Sequence, residues 1–152
     1  MMDDGSPIPE VSVTVADGSV VPLSSLGAPI VVYFYPKDDT AGCTREAQDF
    51  TALAADFADA GVAVVGISKD TPAAHAKFIS KHELGIQLAS DVEGAACEAF
   101  GVWVEKAMYG RKYMGIERAT FLFGADGTLV RAWRKVRVPG HAADVLAAAR
   151  SL

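Results

Sequence analysis

One cysteine in this chain stands where a thiol gains reactivity. The segment Pro36-Lys37-Asp38-Asp39-Thr40-Ala41-Gly42-Cys43 leads from an apolar stretch into a helical pattern, so Cys43 falls in the first turn of a helix. Backbone N–H groups there lack intrahelical acceptors, and the helix dipole presents its positive end; both favour an anion. Because the thiolate is the nucleophilic form, this placement turns an ordinary side chain into a reactive one. Thr40, three residues earlier on the same bend, has a hydroxyl that can accept and donate a hydrogen bond. Pro36 can wall a pocket without adding an N–H donor. Such a group suits a small polar substrate attacked by sulfur. Taken singly, a lone cysteine is more often a small buried hydrophobe, Thr40 a cap and Pro36 a strand stop; their joint spacing is what points to chemistry.

The elements that must position these residues follow from periodicity. Residues 30–35 are apolar or aromatic throughout, as expected of a strand covered on both faces near the centre of a mostly parallel sheet. Pro36 stops it, and Ala47, Phe50, Leu53, Ala54 and Phe57 then recur at helical spacing, predicting a helix over about residues 42–60 that closes before Gly61. A second buried strand over 62–67 completes a strand-helix-strand unit with a right-handed crossover, so the class is α/β. Thr71-Pro72 predicts an N-cap and a proline-opened helix to about Glu83, and residues 86–89 a short strand. Ser90 and Glu93 have capping-box spacing ahead of a short helix with Cys97 and Phe100. Residues 102–115 show no clean period. Strands over 121–123 and 129–133 flank the turn Ala125-Asp126-Gly127, and Gly140 opens a last helix. At the other end, Val11, Val13 and Val15 run into Asp17-Gly18, an N-terminal β-hairpin that resumes at Val20 and Val21.

At 152 residues, 51% hydrophobic and 22% charged, the chain predicts one domain over 1–152, with residues 1–7 flexible. A net charge of -5 argues against nucleic acid as a partner, since phosphate binding draws on clustered cations. The first residues have neither the basic flank nor the apolar run of a signal peptide, and no stretch is long and apolar enough to span a bilayer, so a soluble, cytoplasmic protein without membrane partners is expected. The two cysteines, Cys43 and Cys97, show neither CxxC spacing nor histidines at ligand intervals, which predicts no metal.

The pattern PxxxTxxC, set in Tyr33-Phe34-Tyr35-Pro36 through Cys43-Thr44, resembles the peroxidatic motif of peroxiredoxins. The resemblance is to the bacterioferritin comigratory protein branch, also called peroxiredoxin Q. It continues through Val65-Gly66-Ile67-Ser68, Phe100-Gly101-Val102-Trp103, Tyr109-Gly110, Gly115-Ile116-Glu117-Arg118 and Thr120-Phe121, covering roughly residues 8–150. It implies a thioredoxin-like fold with a central mixed, mostly parallel sheet flanked by helices. It also implies reduction of hydrogen peroxide and organic hydroperoxides in antioxidant defence. Cys43 would attack and become a sulfenic acid, Arg118 would stabilise thiolate and peroxide oxygens, and Glu46 would orient Arg118. No cofactor is implied. Thioredoxin, glutaredoxin or a small thiol would be the reductant, and a monomer is expected, with a dimer as the alternative. Two departures stand out. Ala41 replaces a second proline common in the branch. The branch's usual resolving positions fall on Gln48 and about Ile79, neither of which can form a disulfide. A one-cysteine cycle recycled by an external thiol is therefore expected, with Cys97 as a weak candidate resolver.

The remaining polar residues have simpler readings. Arg118 beside Glu117 has the alternative of a surface ion pair, and Asp38-Asp39 that of solvated bend residues. His75, His82 and His141 are expected at the surface or at helix caps, and Trp103, Tyr109 and Trp133 in the core or a pocket wall. A redox sensor oxidised at Cys43 competes with the enzyme, but needs no complete peroxide pocket; thiol-disulfide exchange lacks CxxC.

Overall fold

A computed structural model describes residues 2–152. Its centre is β3 (Ile30–Phe34), whose five side chains are all buried, paired in parallel with β4 (Ala63–Ser68) and antiparallel with β8 (Ala119–Phe123). The full sheet runs β2-β1-β5-β4-β3-β8-β9, with β1 (Ser12–Thr14), β2 (Val20–Pro22), β5 (Gln87–Ser90) and β9 (Leu129–Trp133). The parallel core is β5-β4-β3, and antiparallel pairs extend it on both sides, including the expected N-terminal hairpin β1-β2.

Alternation along β3 divides the interior. Ile30, Val32 and Phe34 point to one face, against Phe100, Phe121, Phe123 and Cys97; Val31, Tyr33 and Tyr35 point to the other, against Cys43, Phe50, Phe57 and Val145. The second face is covered by α1 (Ala41–Ala52), α2 (Ala54–Asp59), α3 (Pro72–His82) and α5 (His141–Arg150), while α4 (Ala95–Ala99) serves the first. The helix expected over 42–60 is thus two: at Leu53 the ladder tightens to Leu53 N–H on Phe50 O, and φ -102, ψ 6 takes the chain out of helix.

Other expectations shift for definite reasons. Thr71 does cap α3, accepting from Ala74 N–H. Ser90, however, ends β5 instead of capping α4; the Asp91 carboxylate takes the N–H groups of Ala96 and Cys97, and Gly94 is the N-cap. The aperiodic stretch is a two-stranded hairpin, β6 (Trp103–Met108) with β7 (Arg111–Ile116). Tyr109 and Gly110 make its turn with φ 52 and 77, the positive pair that tight hairpin turns require. Both strands are largely exposed, so no apolar face writes a period, and Tyr109 is 97% exposed, not a core residue. Of residues 1–7, expected to be flexible, Met1 lies outside the described residues. Gly5 N–H donates to Leu129 O, Leu129 N–H to Ser6 O, and Pro7 bridges Thr128.

Candidate active site

The end of β3 and the start of β8 meet the first turn of α1, and three sequence-distant residues converge there. Thr40 is the N-cap of α1, its carbonyl accepting from Thr44 N–H at 2.8 Å, which makes Cys43 the third helical residue. Its amide is therefore among those without an intrahelical acceptor, on the positive end of the dipole. The Cys43 side chain is 2% exposed. Register does the rest: Phe34 pairs with Ala119, so Arg118, one residue ahead of β8, arrives beside the end of β3. Arg118 Nη2 lies 3.4 Å from Cys43 Sγ, and Nη1 donates to Glu46 Oε1 at 2.7 Å. Arg118 is thus no surface pair with Glu117, which instead accepts from Arg134 at 3.0 Å.

Gly42 permits this approach. A Cβ there would lie 3.2 Å from Arg118 Nη2, so the absence of a side chain lets the guanidinium lie over the first turn of α1. Glu46 is 1% exposed and, among the described residues, its Oε2 finds no partner. Burial pushes its carboxyl up to about 7, against the opposing pull of Arg118. Desolvation pulls Arg118 down, but Glu46 and Cys43 together hold it above its ordinary value, so the guanidinium is charged. Lys106 of β6 feels the same surroundings: burial and Arg118 lower it, while Cys43 and Glu117 raise it.

Thr40 does not use its hydroxyl as a cap; Oγ1 donates to Lys37 O at 2.8 Å, the residue is exposed, and the hydroxyl oxygen keeps its acceptor capacity. Pro36 is half-buried at the exit of β3. Pro36, Thr40, Cys43, Glu46 and Arg118 therefore belong to one corner of the fold. Cys97 does not. It is fully buried on the opposite face of the sheet, among Phe34, Phe100 and Phe121, and burial raises its thiol far above the ordinary range. Gln48 is exposed and Ile79 half-buried.

Several polar residues lie where sequence spacing did not put them. Asp38 is buried, not solvated, and bonds Tyr35 and His75. His75 and His141 are buried, not surface residues; His141 meets Thr120 Oγ1 at 2.7 Å, and burial pushes it down to about 4. His82 sits at the end of α3, paired with Asp39. Sequence spacing does not mark Gly42, Asp38 or His75, and the contact of Asp38 with His75 across 37 residues leaves no local pattern to find. Among the described residues no group of three His, Cys, Asp or Glu side chains could hold a metal, and no helix is long and apolar enough to cross a membrane. A cleft of 570 Å³ lined by Asp56, Asp59, Ala149 and Arg150 contains no thiol and none of the five candidates.

A sequence model of the AhpC/TSA family matches residues 5–132. Peroxiredoxin Bcp of Xanthomonas campestris pv. campestris is 49% identical over 122 residues, which span 80% of this chain and 76% of that one. Peroxiredoxin Bcp of Bacillus subtilis is 44% identical over 143 residues, spanning 93% and 91%. A structure of the Xanthomonas campestris bacterioferritin comigratory protein, studied for alkyl peroxide reduction, superposes with a TM-score of 0.89 at 41% identity, covering 98% of each chain. The thioredoxin-like architecture is shared. Family pattern, identity and superposition agree over nearly the whole length, and the chain belongs to the AhpC/TSA family as a peroxiredoxin of the Bcp, or peroxiredoxin Q, branch, a thiol-dependent peroxidase.

Proposed function

We propose that Cys43 is the peroxidatic nucleophile and that Arg118, Thr40, Pro36 and Glu46 build its pocket, reducing hydrogen peroxide and organic hydroperoxides. The observation that carries this reading is Arg118 Nη2 at 3.4 Å from Cys43 Sγ on the first turn of α1. The thiolate attacks the terminal peroxide oxygen, the O–O bond breaks, and the leaving alkoxide or hydroxide takes a proton to depart as alcohol or water. Sulfur is oxidised to the sulfenic acid as the peroxide is reduced. Negative charge moves from sulfur toward the leaving oxygen, and a fixed guanidinium stabilises both ends of that movement. The Thr40 hydroxyl can accept the peroxide's hydrogen bond or donate one, and Glu46 holds the guanidinium plane.

Resolution falls to an external thiol. Cys43 and Cys97 face away from each other across the sheet, so a disulfide between them would require unpacking of both aromatic cores. A thioredoxin, a glutaredoxin or a small thiol condenses with the sulfenic acid, releasing water, and a second thiol cuts the mixed disulfide. The test is one equivalent of hydrogen peroxide followed by intact mass, thiol count and dimedone labelling, in wild type and in Cys97→Ser. A dimedone adduct on Cys43 in both is expected. A Cys43 to Cys97 disulfide would overturn the external-thiol cycle, and an unoxidised Cys43 would overturn the assignment of the nucleophile.

A further inference from the structure

The loop that delivers Thr40 to α1 is held from its far side by a buried polar group that no step above uses. Tyr35 donates its hydroxyl to Asp38 Oδ1 at 2.5 Å, and Asp38 Oδ2 lies 2.6 Å from His75 Nδ1. His75 Nε2 lies 3.1 Å from the Ala89 carbonyl at the end of β5. All three side chains are buried, at 1%, 9% and 3% residue exposure. A carbonyl only accepts, so Nε2 carries a hydrogen. The contact between Nδ1 and Oδ2 then holds one more proton, and the donors and acceptors match wherever that proton sits. Removing any member strands a buried polar partner.

The same loop is tied twice more on that side. Asp38 N–H donates to Asp70 Oδ2 at 2.9 Å, an oxygen that also accepts from Ser68 Oγ at the end of β4. Asp39 takes φ 59, and its carboxylate receives Lys81 Nζ and His82 Nε2 of α3 at 2.7 and 2.8 Å. A non-glycine residue keeps such a backbone where its surroundings over-determine it. Toward α1, by contrast, the loop offers the Thr40 carbonyl to Thr44 N–H, and the Thr40 hydroxyl turns back to Lys37. The position of Thr40 is thus set from β4, β5 and α3 as well as from the helix it caps.

We propose that Tyr35, Asp38 and His75 form the positioning device of the peroxide pocket, locking the 36–40 loop to α3 and β5 so that the Thr40 hydroxyl meets the substrate in register with Cys43. The proposal rests on Cys43 being the nucleophile. His75 touches neither sulfur nor peroxide; it acts through the loop. A displacement of about 1 Å in a positioned group can cost as much as a hundredfold in rate, so the device is worth a measurable fraction of catalysis.

The experiment compares His75→Ala and Tyr35→Phe in the full chain, alone and combined with Thr40→Val, by the second-order rate of Cys43 oxidation with hydrogen peroxide and by its rate of alkylation with iodoacetamide. Peroxide oxidation is expected to slow about tenfold in His75→Ala and about threefold in Tyr35→Phe, with alkylation within about twofold of wild type. In the Thr40→Val background both effects should shrink below about twofold, because the group they act through is gone. Tyr35→Phe keeps the ring and its packing, so it decides the matter should His75→Ala fail to fold. Unchanged oxidation rates overturn the proposal; so does a loss that persists undiminished beside Thr40→Val, or one shared equally by alkylation. A wild-type Cys43 that peroxide does not oxidise sinks the reading beneath it instead, so the two failures remain distinct.

Discussion

Replacing Glu46 with glutamine tests the electrostatics beneath Cys43. Glu46 is 1% exposed, one oxygen meets Arg118 Nη1 at 2.7 Å, and the other has no partner among the described residues. Loss of hydration outweighs the single bond to Arg118, and the carboxyl rises from its ordinary 4.5 to about 7. The sign follows from proton counts. Between those two values the folded chain holds a proton at Glu46 that the unfolded chain has released, so stability falls as pH rises through this window. The shift corresponds to a loss of about 3 kcal/mol, absent below the unfolded value and complete above the folded one. Glu46→Gln cannot titrate and should lose none of it. Urea unfolding of both proteins, reduced, at steps between about pH 4.5 and pH 8 measures the difference, in which other titrations cancel. Wild type should be the more favoured at the acid end and fall about 3 kcal/mol relative to Glu46→Gln by the alkaline end. A difference that stays flat across the range, or that moves the other way, would show that Arg118 dominates and that Glu46 is ionised throughout.

Three further perturbations have definite outcomes. Gly42→Ala places a Cβ 3.2 Å from Arg118 Nη2, so the guanidinium must give way; peroxide oxidation of Cys43 should slow about threefold to tenfold while the thermal midpoint moves little, as stopped-flow and melting curves would show. Cys97→Ala should leave peroxidase turnover with an external thiol within about twofold of wild type while costing about 1–2 kcal/mol in urea unfolding, since the thiol fills an aromatic core and lies across the sheet from Cys43. His141, driven down to about 4 by burial, stays neutral in the fold while the unfolded chain takes up a proton below its ordinary 6.5. Its stabilisation is therefore complete above 6.5 and lost as pH falls toward 4, and His141→Asn should show a shallower loss of stability over that acid window in pH-dependent melting.

Most of the fold could be read from sequence where one physical constraint dominates. Residues of β3 and β4 are buried on both faces, so their composition alone announces them, and Gly140 and Thr71-Pro72 mark helix starts through backbone chemistry local to the chain. The β6-β7 hairpin escaped because an exposed two-stranded ribbon has no buried face to impose alternation; its one local signal was Tyr109-Gly110 at the turn. The capping box at Ser90 failed for a related reason. Two residues at the correct spacing competed with Asp91, whose carboxylate already satisfies the amides of Ala96 and Cys97.

The site divides along the same line. Thr40, Cys43 and Glu46 sit on one continuous bend and helix, so spacing placed them together, whereas Arg118 reaches Cys43 only because β8 pairs with β3 in a register that puts Ala119 opposite Phe34. A long-range register is invisible to local periodicity, and here the family resemblance supplied it. The buried carboxylate and imidazole of Asp38 and His75 show the converse. Each looks like a surface residue by type, because isolated charges belong in water, and burial becomes tolerable only through a partner elsewhere in the chain. Polar residues whose burial depends on a distant partner are the ones composition assigns wrongly, and they are also the ones able to fix one segment against another. That combination is what lets Asp38, which carries none of the reacting atoms, fix the 36–40 loop against α3 and β5.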